Sequence, residues 1–445
     1  MFNKLLKFTQ DKTQILYNNS LFLQNIDKLI LISIISVFIS STVMSSDFIG
    51  FLALITVFLS IIKILTKNGE RIEYKTFEIW LLAYFMIVII SLFGSTLFHL
   101  SLKGFFKTFT YIAFYCSTAQ YLKHNRDKIV YILAAIGICV SFESIIGILQ
   151  NFAGVSEIST WQDVSHLNPE QIMTRVYGTL KPLNPNLLGG YFVAGIPSLY
   201  GLSAYFFVEK KYKLSLISTL FALLSTVTLF LTGCRGSYIG MMVIFCAIFG
   251  ISAKFLWNNY KKIYLSILGF VITLSTFAIL CISSLRARIF SIFAMRQDSS
   301  NSFRFNVYHS SLDMFKDNWL LGIGIGNQNF REIYGLYMRT GFDALSAYNI
   351  YLEIAVESGI FALIAFLGFL ITLVKNALNF ILKSPDIKSV ILISASIISI
   401  FAVCIHGIVD TVFFRPQIQF IFWTMVAISG CISDYSKNSP NYYNS

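Results

Sequence analysis

Twelve long apolar stretches alternate with short charged connections along the chain. Most have roughly the 17–25 apolar residues that an α-helix needs to cross a bilayer. Lipid leaves backbone polar groups no outside partner, and the runs do not alternate as barrel strands do, so each run predicts a helix. The predicted spans are residues 29–45, 48–65, 79–98, 105–122, 129–149, 186–208, 214–232, 237–257, 263–283, 347–374, 389–408 and 417–432.

This pattern predicts an all-α, polytopic membrane bundle with a large loop between spans nine and ten. We expect residues 1–283 to hold a polar lead and nine spans, residues 284–346 the loop, residues 347–433 three further spans, and residues 434–445 a tail. The polar lead fits either an amphipathic helix on the membrane surface or a disordered segment. The composition agrees, because 56% hydrophobic residues and a mean hydropathy of +0.69 are too apolar for a soluble domain.

Positive charges are distributed unevenly between the two sets of connections. Every short connection that follows an even-numbered span carries three or four Lys or Arg residues, whereas the alternate short connections carry few. Short cytoplasmic loops are enriched in Lys and Arg. We therefore expect an integral, multi-pass protein with both termini in the cytoplasm and the large loop outside.

Arginine is concentrated on the predicted outer side, which holds nine of the 11 arginines. Topology requires only positive charge, but a guanidinium group also grips phosphate or carboxylate through paired hydrogen bonds. The pattern favours an anion-binding site on the outer face. The alternative is that the outer loops use arginine for structural salt bridges.

The net charge of +12 needs no nucleic acid to explain it. Anionic lipids of the inner leaflet suffice, and the chain lacks the basic, aromatic-rich tract typical of nucleic-acid binding. Its seven cysteines lie in or beside spans with no CxxC pattern, so we interpret them as packing residues. We predict no metal site and no cofactor.

Two predicted outer turns place an arginine beside a span end. Arg175 precedes the turn KPLNPN, in which Asn186 would cap the next helix. Arg235 lies in the tight turn LTGCRGSYIG, where flanking glycines leave its side chain unshielded. We favour a cavity for Arg235, and the alternative is that it extends to the lipid headgroups.

Further candidates lie in the large loop and near span eleven. The segment RQDSSNSFRFNVYHS carries Arg296, Asp298, Arg304 and His309, and its apolar spacing predicts a helix. His406 and Asp410 are four residues apart, so they share a helical face, and Arg415 follows just outside the span. Ionisable groups in a span are costly and suggest function, although a structural His–Asp pair would give the same pattern.

Three acidic residues lie in predicted spans. Glu353 and Glu357 begin span ten at a spacing at which like charges repel, so we expect an arginine partner or a raised pKa for at least one of them. Glu143 lies within span five and requires a partner in the bundle interior. Before span ten, the run LLGIGIG predicts a turn in which glycines allow backbones to approach closely.

Six motifs resemble the O-antigen ligase and polymerase superfamily of polytopic membrane proteins, and most closely its cyanobacterial branch labelled bicarbonate (inorganic carbon) transporter, the IctB family. They cover about residues 175 to 433, and residues before 170 are similar mainly in span layout. The motifs are RVYGTLKPLNPNLLGGY, LTGCRGSYIG, SIFAMRQDSSNSFRFNVY, LLGIGIGNQNF, FDALSAYNIYLEIAVESG and HGIVDTVFFRPQ.

The resemblance implies twelve spans and a transfer of glycan from a polyprenyl diphosphate to an acceptor hydroxyl, without a metal. It assigns diphosphate binding to Arg175, Arg235 and Arg304, and we add Arg415 as a candidate. The ligases use a loop histidine as base, and Tyr348 stands in its place here. Tyrosine has a pKa near 10 and is a poor base at neutral pH. Candidate catalytic residues are therefore Tyr348 and its possible substitutes, His309, Glu353, His406 and Asp410.

The sequence leaves three functions open. The first is a glycan ligase or transferase that acts on a lipid-linked diphosphate at the outer face. The second is a bicarbonate transporter, as the branch label implies, which could use the same arginines as an anion vestibule. The third is a protein that binds a lipid-linked anion without catalysis, or an accessory subunit. All three have membrane lipids as partners.

Overall fold

The computed structural model describes residues 2–68, 70–72, 75–154, 175–293, 299–339 and 343–438, and these residues contain helices and no β-strand. Twelve helices correspond to the predicted spans. They are α3 (Ile26–Val43), α4 (Ser46–Thr66), α5 (Thr76–Gly94), α6 (Phe98–His124), α7 (Ile129–Ala153), α8 (Pro185–Val208), α9 (Tyr212–Leu231), α10 (Arg235–Leu256), α11 (Lys261–Cys281), α15 (Ile350–Lys383), α16 (Ile387–His406) and α17 (Pro416–Asn438).

Five further helices lie in the lead and in the large loop. They are α1 (Phe2–Asn19), α2 (Leu21–Gln24), α12 (Ser283–Phe290), α13 (Ser299–Asp317) and α14 (Asn327–Tyr334). The helix expected in the loop is therefore confirmed as α13. The lead is helical, and Gln10 of α1 donates hydrogen bonds to the Ile64 and Glu70 carbonyls beside the end of α4.

The predicted all-α membrane bundle is confirmed. Within the described residues, eleven of the twelve helices that correspond to predicted spans are long and apolar enough to cross a membrane. The exception is α6, which begins seven residues before the predicted fourth span and carries Lys103, Lys107 and Lys123. Its cations lower its hydropathy, yet its length of 27 residues is sufficient to cross a bilayer.

The bundle has two chemically different ends. At one, Lys63 forms ion pairs with Asp27 and Glu70, at 2.8 and 3.1 Å, and Lys254 bonds the Ile381 carbonyl. We call this the lysine end. At the other, hydrogen bonds join the connection before α8 to that before α10, through Arg175 and Thr232, and the connection before α15 to that before α17, through Ser346 and Thr411. This arginine end carries the candidate site. The connection at 155–174 lies outside the described residues.

Helix α8 lies in the middle of the bundle and packs closely because its glycines face neighbouring helices. A side chain at Gly195 would overlap Val140 of α7, and one at Gly201 would meet Ala395 of α16 at 2.5 Å. Small residues at such contacts let membrane helices approach until their backbones nearly touch. This packing brings α7, α8 and α16 together beneath the arginine end.

Helix α15 is broken at Gly359, whose φ of 81° is left-handed. The loop segment 319–326 fills the break: Ile360 donates to the Trp319 carbonyl and Ile323 to the Val356 carbonyl, both at 2.9 Å. A side chain at Gly359 would overlap the Leu320 carbonyl oxygen. The glycines of LLGIGIG thus allow the close backbone approach that the sequence predicts. The large loop is consequently fastened to the first turns of α15.

Candidate anion site at the arginine end

A short segment before α8, residues 175–180, is fixed by polar side chains of α7. Glu143 accepts a hydrogen bond from the Thr179 amide at 2.9 Å, and Gln150 accepts from the Tyr177 and Gly178 amides at 3.1 and 2.9 Å. Glu143 is fully buried, and a buried carboxylate requires such donors. The interior partner expected for Glu143 is therefore Thr179. The arrangement positions Arg175, the first residue of the segment.

Arg175 is buried, and its guanidinium group donates to two neutral oxygens. These are the Thr232 carbonyl, at 2.7 Å from Nε, and the Asn186 side-chain oxygen, at 2.5 Å from Nη2. Burial lowers the pKa of Arg175 from its ordinary value, while the neighbouring Cys234, Tyr238 and Asp410 act in the opposite direction. Arg175 is therefore a buried cation, and neither of its hydrogen-bond acceptors carries a negative charge.

The prediction that Asn186 caps α8 is wrong. Asn184 caps this helix, because its side-chain oxygen accepts from the Asn186 amide at 2.7 Å and the Leu187 amide at 3.4 Å. Pro185 occupies the first helical position, which suits its fixed φ and its missing N–H. The cap therefore falls before the proline, and the Asn186 side chain is available to orient Arg175.

Arg235 is the first residue of α10 and is also buried. Its Nη1 donates to the Ser291 carbonyl at 3.2 Å, and Nε of Arg288 donates to the Gly233 carbonyl at 2.7 Å. Gly233 itself has a φ of 62°, so the turn before α10 favours glycine. Arg235 and Arg175 are close enough to interact electrostatically. Arg288 joins the site although the sequence did not single it out.

His406, at the end of α16, faces the turn before α10. Its Nε2 lies 3.8 Å from the Cys234 sulfur. A side chain at Gly236 would meet the His406 ring at 2.7 Å, so this glycine is what lets the ring lie against α10. Burial raises the pKa of the Cys234 thiol, but His406 lowers it more strongly, to about 7 overall. Cys234 is thus part of the polar site, and interpreting it as a packing residue missed this role.

Asp410 lies in the turn after α16, close both to His406 and to Arg304 of the large loop. Its Oδ1 accepts from the Thr411 amide at 2.7 Å and the Val412 amide at 3.2 Å, which fixes the carboxylate. Its Oδ2 lies 3.5 Å from Arg304 Nη2, a long ion pair. Cys234, His406 and Asp410 each offer a ligand atom, all within 4.8 Å of one another. The structure therefore brings Arg175, Arg235 and Arg304 around a common Cys–His–Asp group.

Tyr348, at the position of the ligase histidine, is held in an unusual conformation. Its φ of 52° is left-handed, which is rare for a bulky residue and often marks a functional site. Its carbonyl accepts from the Tyr308 hydroxyl at 3.2 Å, and its ring lies 5.7 Å from the Arg304 guanidinium carbon. Burial raises the pKa of Tyr348, so the residue is even less suited to act as a base. It orients Arg304 by stacking.

The remaining candidates lie at different distances from this group. Glu353 and Arg415 interact electrostatically with each other, and Glu353 also with Asp410. Glu353 accepts from the Ala347 amide at 3.2 Å and Glu357 from the Gly326 amide at 2.9 Å, with no ion pair to arginine among the described residues. His309 of α13 is exposed. The predicted candidates Arg296 and Asp298 lie outside the described residues.

Two cavities in the described part of the chain lie elsewhere. One, of about 490 Å³, opens between α4, α5 and α6, is lined mainly by apolar side chains, and has Lys75, Lys123 and Arg126 toward the lysine end. The other, of about 460 Å³, lies at the arginine end beside Lys103 and Lys107. Arg175, Arg235 and Arg304 line neither. Arg175 and Arg235 are buried, and the side chain of Arg304 is 16% exposed.

Comparison with known proteins bears on the middle of the chain. Residues 220–367, about a third of the sequence, match the family model described as O-antigen ligase. The match includes Arg235, Arg304, Tyr348 and Glu353, and ends before His406. No curated protein matches the chain. The eleven apolar helices thus indicate a multi-pass membrane protein, and residues 220–367 of it are similar to the O-antigen ligase family.

Proposed function

We propose that the arginine end binds the diphosphate of a lipid-linked glycan and that the protein transfers this glycan to an acceptor hydroxyl. The observation that carries the proposal is Arg175, a buried guanidinium whose hydrogen bonds go to neutral oxygens. A buried charge is costly unless an opposite charge compensates it. A diphosphate would supply that charge, and the family match over residues 220–367 supports a lipid-linked glycan as its source.

The chemistry assigned to the arginines is stabilisation of the leaving group. In the transfer, the acceptor hydroxyl oxygen attacks the anomeric carbon, the bond from this carbon to the diphosphate oxygen breaks, negative charge accumulates on the departing diphosphate, and the hydroxyl proton passes to that leaving group. Guanidinium groups fixed in advance stabilise such a developing charge most effectively in a site that excludes water. The Thr232 carbonyl holds the Arg175 side chain, the Ser291 carbonyl holds that of Arg235, and Arg304 contacts Asp410 from the loop.

We also propose how the two ends of the bundle are oriented in the membrane, on the basis of the charge pattern. The lysine end would face the cytoplasm together with both termini, and the arginine end would lie on the outer side, where the polar head of a lipid-linked glycan can reach it. Within the superfamily, the resemblance to the IctB branch raises bicarbonate transport as the competing function. A diphosphate suits the site better than bicarbonate does. Its two phosphates carry more negative charge to compensate the buried Arg175 and the arginines beside it.

Binding of a short-chain polyprenyl diphosphate to the purified protein in detergent tests the proposal. We expect Arg175→Ala to weaken binding about 10-fold or more, since a charged hydrogen bond contributes about 1.5–3 kcal/mol. The matched control is Arg331→Ala, because Arg331 is an exposed loop residue paired with Asp343, and its loss should leave affinity unchanged. Equal affinity of the wild type and Arg175→Ala would contradict the proposal. Bicarbonate uptake into proteoliposomes would favour transport instead.

A further inference from the structure

Three metal-binding side chains from separate parts of the chain meet at the arginine end. Cys234 precedes α10, His406 ends α16, and Asp410 follows in the next turn, and all three are buried, with 3%, 2% and 4% of their surfaces exposed. Their ligand atoms lie within 4.8 Å of one another. Each of these groups is costly to bury, and a hydrogen bond of 3.8 Å between the thiol and the imidazole offsets part of that cost.

The separation of sulfur and nitrogen fits coordination to one ion. Zinc–sulfur bonds of about 2.3 Å and zinc–nitrogen bonds of about 2.0–2.1 Å at tetrahedral angles place the two ligand atoms about 3.6 Å apart. The observed distance between Cys234 Sγ and His406 Nε2 is 3.8 Å. Little movement of either side chain would therefore be needed for both to bind the same ion.

Residues around the three side chains hold them in place, as the residues around the ligands do in metal sites. Two backbone amides hold Asp410 Oδ1, while Oδ2 makes only a long contact with Arg304 and has lone pairs to spare. Gly236 and Gly190 approach the His406 ring so closely that a side chain at either would meet it, at 2.7 and 3.3 Å. The ring is therefore held in place. Outer contacts of this kind orient ligands and sustain affinity.

We infer that Cys234, His406 and Asp410 form a binding site for a single divalent transition-metal ion, with Zn²⁺ as the best fit. Thiolate, imidazole and carboxylate donors together suit zinc, whereas Mg²⁺ and Ca²⁺ take oxygen ligands. Three protein ligands leave the fourth tetrahedral position open, as in catalytic rather than structural zinc sites.

The charge balance is compatible with the arginines nearby. A thiolate and a carboxylate offset the two positive charges of the ion, so the occupied site adds no net charge to that of the arginines. The inference stands on these three side chains and is independent of the proposed glycan substrate. It departs from the metal-free chemistry that the family resemblance implies.

Metal content of the intact protein tests this inference. The protein should be purified through a tag without histidine and without chelators, and its zinc measured by mass spectrometry. We expect close to one zinc ion per chain, and a loss of most of it in Cys234→Ser and Asp410→Asn. The control is Cys139→Ser, because Cys139 is a buried cysteine of α7 away from the site, and it should retain the wild-type content.

Cobalt provides a second readout that reports the ligand itself. Co²⁺ added to metal-stripped wild-type protein should give the near-ultraviolet charge-transfer band of a cobalt–thiolate bond, and Cys234→Ser should lack it. Size-exclusion profiles and melting temperatures show whether each variant is folded. Wild-type protein that holds no more zinc than Cys234→Ser, or that binds Co²⁺ without the thiolate band, overturns the inference.

Discussion

Glu143 and Thr179 are joined by both oxygens of the buried carboxylate: Oε2 accepts from the Thr179 amide at 2.9 Å, and Oε1 lies 2.5 Å from its hydroxyl. The contact crosses from the middle of α7 to the segment before α8. Glu143, an acidic residue within a predicted span, thereby helps to fix the position of Arg175. Glu143 thus acts on the candidate site through the backbone.

Replacement of Glu143 should therefore affect both stability and binding. We expect Glu143→Ala to lower the free energy of unfolding by about 2–4 kcal/mol, because it leaves a buried amide unsatisfied and opens a cavity. Glu143→Gln retains an acceptor and the side-chain volume, so it should lower stability less. Melting temperature and affinity for a polyprenyl diphosphate measure the two effects. Equal stability of both variants would show that the contact does not fix the segment.

Gly359 should tolerate no side chain. Its φ is left-handed, and a methyl group at this position would overlap the Leu320 carbonyl oxygen, so Gly359→Ala should separate the loop segment 319–326 from α15. We expect a loss of at least about 2 kcal/mol, or failure to fold. Gly269→Ala is the matched control, since this helical glycine has open space around it and alanine favours the helix by about 1 kcal/mol. Thermal unfolding in detergent compares them.

The backbone of Tyr348 offers a test of strain. Tyr348→Asn and Tyr348→Val both remove the ring that stacks on Arg304, but only asparagine adopts the left-handed region readily. We expect the valine variant to be less stable than the asparagine variant by about 1 kcal/mol or more. Their melting temperatures give the difference directly. A valine variant as stable as the asparagine variant would argue against a left-handed conformation at residue 348.

Lys63 at the lysine end is expected to be essential for stability. It is 1% exposed and pairs with Asp27 and Glu70, so Lys63→Met would leave Glu70 buried and without this partner. Removal of one member of a buried ion pair costs about 3–5 kcal/mol. Lys67 also pairs with Asp27, but its side chain is 32% exposed, and Lys67→Met should cost about 1 kcal/mol or less. Similar melting temperatures for the two variants would contradict this distinction.

The arrangement of spans could be predicted because a long apolar run in lipid has few stable structures other than a transmembrane helix. The largest boundary errors are at the end of α15, which continues to Lys383 beyond the predicted residue 374, and at the start of α6, where Lys103 and Lys107 interrupt the apolar pattern although the helix continues through them. The hydropathy pattern predicts a start of α15 at residue 347, whereas the Asn349 side chain caps this helix by accepting from the Tyr351 and Leu352 amides. Local side-chain capping is a signal that hydropathy does not contain.

Sequence reasoning selected the arginines of the candidate site but missed part of its surroundings. Arginine enrichment and motif resemblance indicate Arg175 and Arg235, whereas Cys234 looks like any other cysteine beside a span. Its proximity to His406 depends on the packing of α10 against α16, which are separated by more than a hundred residues. Only Gly236, next to an arginine in a tight turn, gives a local hint of close approach, and a glycine alone does not identify the partner.

The break at Gly359 changes where α15 meets the hydrocarbon core. Residues 360–383 of this helix, at a rise of about 1.5 Å each, already extend about 36 Å, more than the roughly 30 Å thickness of lipid acyl chains. The turns that carry Glu353 and Glu357 are therefore not needed to traverse the bilayer. Two carboxyl groups that appear in the sequence as a cost to a transmembrane segment are instead acceptors that hold the backbone of the loop against the first turns of α15.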